Sequence, residues 1–189
     1  YREFTMQQFN VSGILGKCYY TQEYPSYIDA LWTRDIMSMH AKRDMSFYLY
    51  PEDDSAIQSM LKQKSTQLKA ELSDAMQKGI TIDKEIEQQY RDVEMIREKL
   101  TTKEERYFEL WNYTTIYDHN EEKLRETGKK LEQKISGYGI RVKNAIHRMD
   151  NGFTANLPIC LDDMGIVRSA VTSSLAASFP FISSDLITK

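Results

Sequence analysis

The sequence predicts an α+β fold, a ferredoxin-like split βαβ sheet with a long antiparallel helical hairpin of coiled-coil character between its second and third strands. Aromatic and β-branched segments alternate with segments of helical periodicity in the order βαβ, a long helical region, and βαβ. The long region, residues 53–104, contains no proline and a single glycine, Gly79. Without that region a βαββαβ order remains, which is the order of a ferredoxin-like sheet.

The first half of the body is predicted from residues 1–52. Residues 1–13 are polar and mixed, and we assign them to an N-terminal lead-in. Residues 17–24 are rich in aromatic side chains and predict a strand, which Pro25 ends. A helix follows, and residues 44–50 alternate polar and apolar side chains, which predicts the second strand. The apolar face of the intervening helix is predicted to consist of Ile28, Leu31, Trp32, Ile36 and Met39.

Residues 53–104 predict two long helices that pack against each other. Twenty of these 52 residues are charged, and the apolar residues recur at steps of three, four and seven, which places one narrow stripe on each helix. Gly79 separates the stripes at a point where a helix ends and the chain can take a left-handed turn. We expect a projecting hairpin whose charges form a solvated face. The stripes contain Ile57, Met60, Leu61, Leu68, Leu72, Met76, Ile82, Ile86, Val93, Ile96 and Leu100.

The second half of the body follows the helices. Residues 106–117 are dense in aromatic and β-branched residues and predict the third strand. Asp118 or Asn120 is suited to cap the next helix, which Gly137 ends. Residues 138–147 alternate again and predict the fourth strand.

The predicted domain organisation has three parts. The body comprises residues 1–52 and 105–156, and the inserted hairpin comprises residues 53–104. Residues 157–189 form a closing segment that contains a turn at residues 162–165 and an Ala/Ser run. The chain does not begin with methionine and ends at Lys189, so we expect a fragment of a longer protein whose catalytic domain lies elsewhere.

Composition narrows the functional classes. The apolar fraction of 41% suffices for a core, and the formal net charge of −3 gives no electrostatic reason to expect DNA or an anionic membrane as the main partner. The sequence contains no run of eighteen apolar residues that would predict a membrane-spanning helix. Cys18 and Cys160 stand far apart without a CxxC motif, which is typical of reduced thiols in a cytosolic protein.

We find no convincing catalytic, cofactor-binding or metal-binding constellation in the sequence. Residues 13–18 end in Gly-Lys-Cys, but a phosphate-binding loop needs an earlier glycine at position 11, which is Val11, and a Ser or Thr at position 18. The three histidines lack a second histidine at helical metal-ligand spacing. The adjacent Asp162 and Asp163 indicate a turn, because neighbouring carboxylates point apart.

One side of the third strand carries Trp111, Tyr113 and Tyr117, with Arg141 and Lys143 in the fourth strand. An aromatic sheet face with nearby cations can stack single-stranded nucleic acid. A free-standing nucleic-acid-binding protein is therefore one alternative, although core packing or a protein interface is favoured for these rings. A second alternative is a structural coiled-coil protein that self-associates through Leu68 and Val93.

The last third of the chain resembles a known family. Leu157-Pro158 is followed by Arg168, Thr172, residues 174–181 (SLAASFPF) and residues 184–186 (SDL). This pattern is similar to a segment of the large ATPases of conjugative type IV secretion systems, the TraC/TraE type, including the forms of Gram-positive conjugative elements. In that family the segment closes the N-terminal domain, immediately before the RecA-like motor.

The resemblance implies the role of the whole protein. It implies a hexameric ATPase in the cytoplasm, peripheral on the inner face of the plasma membrane, whose motor lies after Lys189 and uses ATP and Mg. This chain would be the non-catalytic N-terminal docking domain, without a cofactor of its own. Its partners would be inner-membrane channel subunits, its own motor domain and further copies of itself, and direct nucleic-acid contact is not expected. The resemblance assigns Arg168, Phe179 and Phe181 to an interface with the motor, with burial in a core as an equal alternative for the two phenylalanines.

Overall fold

The structure of the protein, a computed structural model, describes residues 1–25, 28, 32–79 and 83–179. Leu31 and Ile82, which were predicted to lie on apolar helix faces, are outside these ranges. Within the ranges the structure contains seven strands and six helices. The strands are β1 (Arg2–Phe4), β2 (Phe9–Val11), β3 (Ile14–Glu23), β4 (Lys42–Pro51), β5 (Tyr107–Asp118), β6 (Arg141–Asn144) and β7 (Arg168–Val171). The helices are α1 (Trp32–Met37), α2 (Asp54–Gln77), α3 (Lys84–Thr101), α4 (Glu121–Ser136), α5 (Met149–Ala155) and α6 (Thr172–Ser178).

The seven strands form one antiparallel sheet in the order β1-β2-β3-β5-β4, with β6 beside β3 and β7 beside β5. The long strand β3 has three neighbours. Its residues 15–20 pair with β5, where Tyr20 lies opposite Tyr113. Its other edge pairs with β2 near Gly16 and with β6 from Tyr19 onward.

The prediction of a ferredoxin-like sheet carrying a coiled-coil hairpin is wrong. Four strands were predicted, but residues 1–13 contain β1 and β2, and residues 168–171 form β7. These strands have three or four residues, which is too short for an alternating pattern to stand out from the sequence. No side chain of α3 is fully buried, so α2 and α3 do not share the closed apolar seam that defines a coiled coil.

Other local predictions are confirmed. Strands β3, β4 and β5 lie close to the predicted segments, whereas the strand predicted over residues 138–147 is confirmed only for β6. Strand β6 is shorter than the predicted strand because residues 137–139 form a turn after α4. Gly139 in this turn has a φ of +72°. Asn120 caps α4, since its side-chain oxygen accepts a hydrogen bond from the Lys123 N–H at 3.0 Å. Gly79 follows α2 with a φ of +63°, the left-handed conformation that the sequence predicts.

The chain folds into two compact units. The larger unit contains residues 1–49, 109–168 and, among the described residues, 173–179. The smaller unit contains residues 50–108 and 169–172, and therefore includes both α2 and α3.

The larger unit has an apolar cluster on each face of its sheet. The cluster on the side of α5 contains Phe9, Cys18, Tyr48, Trp111, Tyr113, Ala145, Met149, Ala155 and Met164. The cluster on the side of α1 and α4 contains Tyr19, Trp32, Ile36, Ile116, Leu124, Leu131, Ile135 and Ile140. Both faces of the sheet are therefore covered in this unit.

Strand β2 packs against β3 at a position where only glycine fits. The phenyl ring of Phe9 occupies the space that a Cβ atom on Gly16 would need. We expect Gly16→Ala to lower the free energy of unfolding by about 1–3 kcal/mol, the usual cost of overpacking. Denaturant unfolding of the single variants and of Gly16→Ala in a Phe9→Leu background forms a double-mutant cycle. Gly16→Ala should lower the free energy of unfolding by less in the Phe9→Leu background than in the unchanged protein. Strictly additive losses of unfolding free energy in the double variant would contradict this account.

The two thiols are expected to differ in reactivity. Cys18 is 1% exposed, and burial raises its pKa to about 12, so almost no thiolate forms at neutral pH. Cys160 is exposed. Labelling with a maleimide should therefore modify one thiol per folded chain and two per denatured chain. The Cys160→Ser variant is the control, and rapid labelling of that folded variant would show that Cys18 is accessible.

Candidate interaction surface

The candidate surface lies on the two long helices of the smaller unit. Helix α2 begins after Asp53, whose carboxylate accepts hydrogen bonds from the N–H groups of Ser55 and Ala56 at 3.0 and 2.9 Å. One face of α2 packs against α3. Its buried residues, at helical steps of three and four, are Ile57, Leu61, Ser65 and Leu68.

Polar contacts join the two helices. The Ser65 hydroxyl donates a hydrogen bond to the carboxylate of Glu94, which also accepts one from Arg97 at 2.5 Å. The side-chain amide of Gln58 donates to the hydroxyl of Thr101 at 3.2 Å. Two directional hydrogen bonds therefore act together with apolar packing to align α3 on α2.

The hydrogen bond from Ser65 is the largest influence on the ionisation of Glu94. It lowers the pKa of the Glu94 carboxyl, and the cations Arg97 and Lys69 lower it further, whereas partial desolvation opposes them. Glu94 is therefore charged at neutral pH and is already paired within the unit. Along the outer surface, ion pairs join Lys78 to Asp74 at 2.7 Å and Arg91 to Glu87.

Helix α3 has eighteen residues, none of them fully buried. Its side chains line an open cavity of about 600 Å³ that includes Tyr90, Arg91, Met95 and Arg97. The Met95 side chain is 51% exposed. Tyrosine, methionine and arginine are the residue types that protein interfaces favour over the remaining surface. The outer surface of α3 is therefore the best candidate for contact with another protein.

The residues that the sequence singled out lie in different places. Leu68 is 2% exposed on the face of α2 that packs against α3, and Val93 is half-buried on α3. Arg168 belongs to the larger unit, where its Nε donates to the Gln22 carbonyl and its Nη1 to the Val167 carbonyl at 2.5 Å. Its guanidinium is thus engaged by backbone within the chain.

Of the two phenylalanines singled out in the closing segment, one lies within the described residues. Phe179 is 56% exposed in the larger unit. Phe181 lies outside the described residues. Tyr90 and Met95 were not among the site residues predicted from the sequence, because that prediction followed the apolar stripes that pack internally. The signal that could have indicated Met95 is its position as an apolar residue between the stripe positions.

The aromatic face of β5 is covered. Trp111 and Tyr113 belong to the cluster beneath α5, and the Tyr113 hydroxyl donates a hydrogen bond to Asp162 at 2.8 Å. Asp162 also accepts the N–H of Met164 at 2.9 Å and that of Gly165, which confirms the predicted turn. These two rings are part of a core, so they present no stacking platform to nucleic-acid bases.

The other residues considered as binding-site candidates from the sequence do not come together at one site. Lys17 and Cys18, the end of the string that partly resembles a phosphate loop, lie within strand β3. His40, His119 and His147 are exposed at separate positions. Within residues 1–25, 28, 32–79 and 83–179 the structure contains no cluster of three or more His, Cys, Asp or Glu that could hold a metal ion.

None of the helices within the described part of the chain combines the length and apolarity needed to cross a bilayer. No family model matches the chain. Comparison with curated proteins likewise found no match.

Removal of the Ser65 hydroxyl is expected to raise the pKa of Glu94. A depressed carboxyl pKa contributes stability that is present above the unfolded value of 4.5 and is lost as the pH falls through the folded value. Ser65→Ala should therefore lower the thermal midpoint more at pH 7 than at acidic pH. An NMR titration of the Glu94 side chain measures the pKa directly. Ser59→Ala on the same helix is the control, and an unchanged Glu94 pKa in Ser65→Ala would refute the assignment.

Proposed function

We propose that this chain is a non-catalytic docking and assembly domain of a conjugative type IV secretion ATPase. In this role it couples a hexameric motor to membrane channel subunits during the transfer of DNA or protein. The observation that carries the docking part is α3, an eighteen-residue helix without a fully buried side chain. The pattern within residues 157–186 supports the choice of family.

The composition of α3 suits a partner that accepts a helix in a groove. Arg91, Met95 and Glu98 follow one another at steps of four and three, so they lie on the same face of the helix. A groove that accepts a helix recognises apolar anchors on one face, and Met95 is the apolar member of this row. Burial of Met95 removes apolar area from water, and the flanking charges set the orientation of the partner.

In this role the activity and the cofactors lie outside this chain. ATP and Mg would be bound by the motor domain of the family that the chain resembles, and this chain would contribute binding rather than chemistry. The assembled protein would work in the cytoplasm on the inner face of the plasma membrane, held there by its channel partners. The motor and the channel subunits are thus the two partners to test.

The coding sequence after Lys189 tests the family assignment. A strand followed by a glycine-rich loop that ends in Gly-Lys-Ser or Gly-Lys-Thr, within about a hundred residues, would support the motor that this proposal requires. A stop codon soon after Lys189 would overturn the assignment to a secretion ATPase. The docking surface on α3 would then be tested on its own.

We expect Met95→Glu to weaken binding to a purified channel subunit or to the purified motor domain by about tenfold or more. This change places a carboxylate at an apolar anchor, and anchors of interfaces typically contribute more than 1 kcal/mol each. Isothermal titration calorimetry with the full chain measures the dissociation constant.

Met60→Glu is the matched control, because Met60 on α2 is 46% exposed and lies outside the α3 surface. It should bind as the unchanged chain does. Equal affinities for Met95→Glu and the unchanged chain would exclude α3 as the docking surface, and no binding of either partner by the unchanged chain would overturn the proposed function.

A further inference from the structure

Within the described residues strand β6 pairs with β3 alone, so its other side is an open edge of the sheet. The Ala145 N–H, directly after β6, donates to the Cys18 carbonyl of β3 at 2.8 Å. Backbone groups of an antiparallel strand alternate between its two sides. Those of Val142 and Asn144 therefore point away from β3. The Asn144 carbonyl accepts the Ile146 N–H at 2.8 Å, which leaves the Val142 N–H and C=O and the Asn144 N–H on the open edge.

Helix α4 packs beside β6, and an open groove of about 510 Å³ lies between them. The groove is lined by Lys129, Glu132, Gln133 and Ser136 of α4 and by residues 139–142. Val142 packs against the apolar cluster on the α4 side of the sheet, so its side chain lies on the same side as the groove. Residues directly opposite each other on neighbouring strands place their side chains on one face. A side chain that faces Val142 across the open edge would therefore extend toward the groove.

The side chains around this edge have an excess of positive charge. Lys143 of β6 and Lys129 of α4 make no ion pair within the described residues. Arg141 pairs with Glu23 at 3.0 Å, but both side chains are more than half exposed, and such pairs contribute little. Among the residues that line the groove, Glu132 is the one carboxylate. The edge is therefore locally positive, although the whole chain has a formal net charge of −3.

We propose that this edge binds an extended acidic segment of another protein, which joins the sheet as a further strand beside β6. The segment alternates acidic and apolar residues. An apolar residue lies opposite Val142 and enters the groove, whereas acidic residues lie opposite Arg141 and Lys143 on the other face. Because Val142 points its N–H and C=O outward, it exchanges two backbone hydrogen bonds with the residue that faces it. In this mode of recognition the backbone hydrogen bonds supply affinity, and the alternate side chains supply specificity.

A second copy of this chain does not suit the same edge. An antiparallel pairing of two β6 strands with the two-fold axis at Val142 places Arg141 opposite Lys143 of the second copy, twice. Like charges directly opposite one another destabilise strand pairing. Cations on an edge therefore oppose self-pairing, but they attract a strand of opposite charge. The interaction is independent of the docking role proposed for α3, since it uses elements of the larger unit.

A synthetic peptide tests the proposal with the full chain. The probe is an acetylated and amidated seven-residue peptide in which glutamate and valine alternate. It should bind the unchanged protein in isothermal titration calorimetry, and the amide NMR signals of Val142 and Asn144 should shift. A peptide of alternating lysine and valine should bind at least about fivefold more weakly, because its cations face Arg141 and Lys143. No binding of the glutamate peptide at millimolar concentration, or equal binding of both peptides, would overturn the proposal.

Charge reversal at Lys143 tests the pairing of side chains across the edge. Lys143→Glu should weaken binding of the glutamate peptide by about fivefold and strengthen binding of the lysine peptide by a similar factor. Lys62→Glu on α2 changes the net charge equally and is the control, which should bind both peptides as the unchanged chain does. Identical effects of the two substitutions would show only general attraction between charges and would overturn the proposal.

N-methylation of the peptide tests the added strand without any change in the protein. Methyl groups on the valine amides remove the donors that face β6 and should abolish binding. Methyl groups on the glutamate amides, which point away from β6, are the matched control and should preserve most of the affinity. An equal loss of affinity for both methylated peptides would exclude strand addition and overturn the proposal.

Discussion

The close packing around β3 is the constraint on which the larger unit depends. Phe9 of β2 lies over Gly16, and Cys18 is so near Gly152 of α5 that a Cβ atom there would lie 2.6 Å from the Cys18 Cβ. On the other face the Tyr19 hydroxyl occupies the space beside Gly128 of α4. Three glycines thus let β2, α5 and α4 approach one strand. Because interiors are packed to crystal-like density, these positions tolerate no added atom without displacement of a neighbour.

Local features of this chain and its three longest strands could be predicted from the sequence, whereas the short strands and the strand order of the sheet could not. Asn120 and Gly79 act within a few residues of their own positions, so their roles follow from residue type alone. Strand β7 exists because residues 168–171 meet β5, which lies about sixty positions earlier in the chain. No short-range pattern encodes such a pairing, and three-residue strands such as β1 and β2 show too few alternations to be recognised.

The candidate surface on α3 could likewise be predicted only in part from the sequence. Apolar periodicity identifies which residues of a helix share a face, but it does not measure how completely a partner covers that face. Leu68 and Val93 were selected as equivalent members of two stripes, yet the first is buried and the second is only half-buried. The sequence therefore indicated the internal side of α3. The outer side, with Met95, became apparent only from the exposure of each side chain.

The two end strands of the sheet order, β1 and β4, are protected in different ways. At one end, β1 has three residues, all exposed, and includes Arg2 and Glu3. A short, charged edge offers little template for another strand. At the other end, β4 has ten residues, begins with Lys42, Arg43 and Asp44, and ends with Pro51. Charged side chains and proline both disfavour pairing with a further strand, so the longer end strand is protected by its composition and the shorter one by its length and charge.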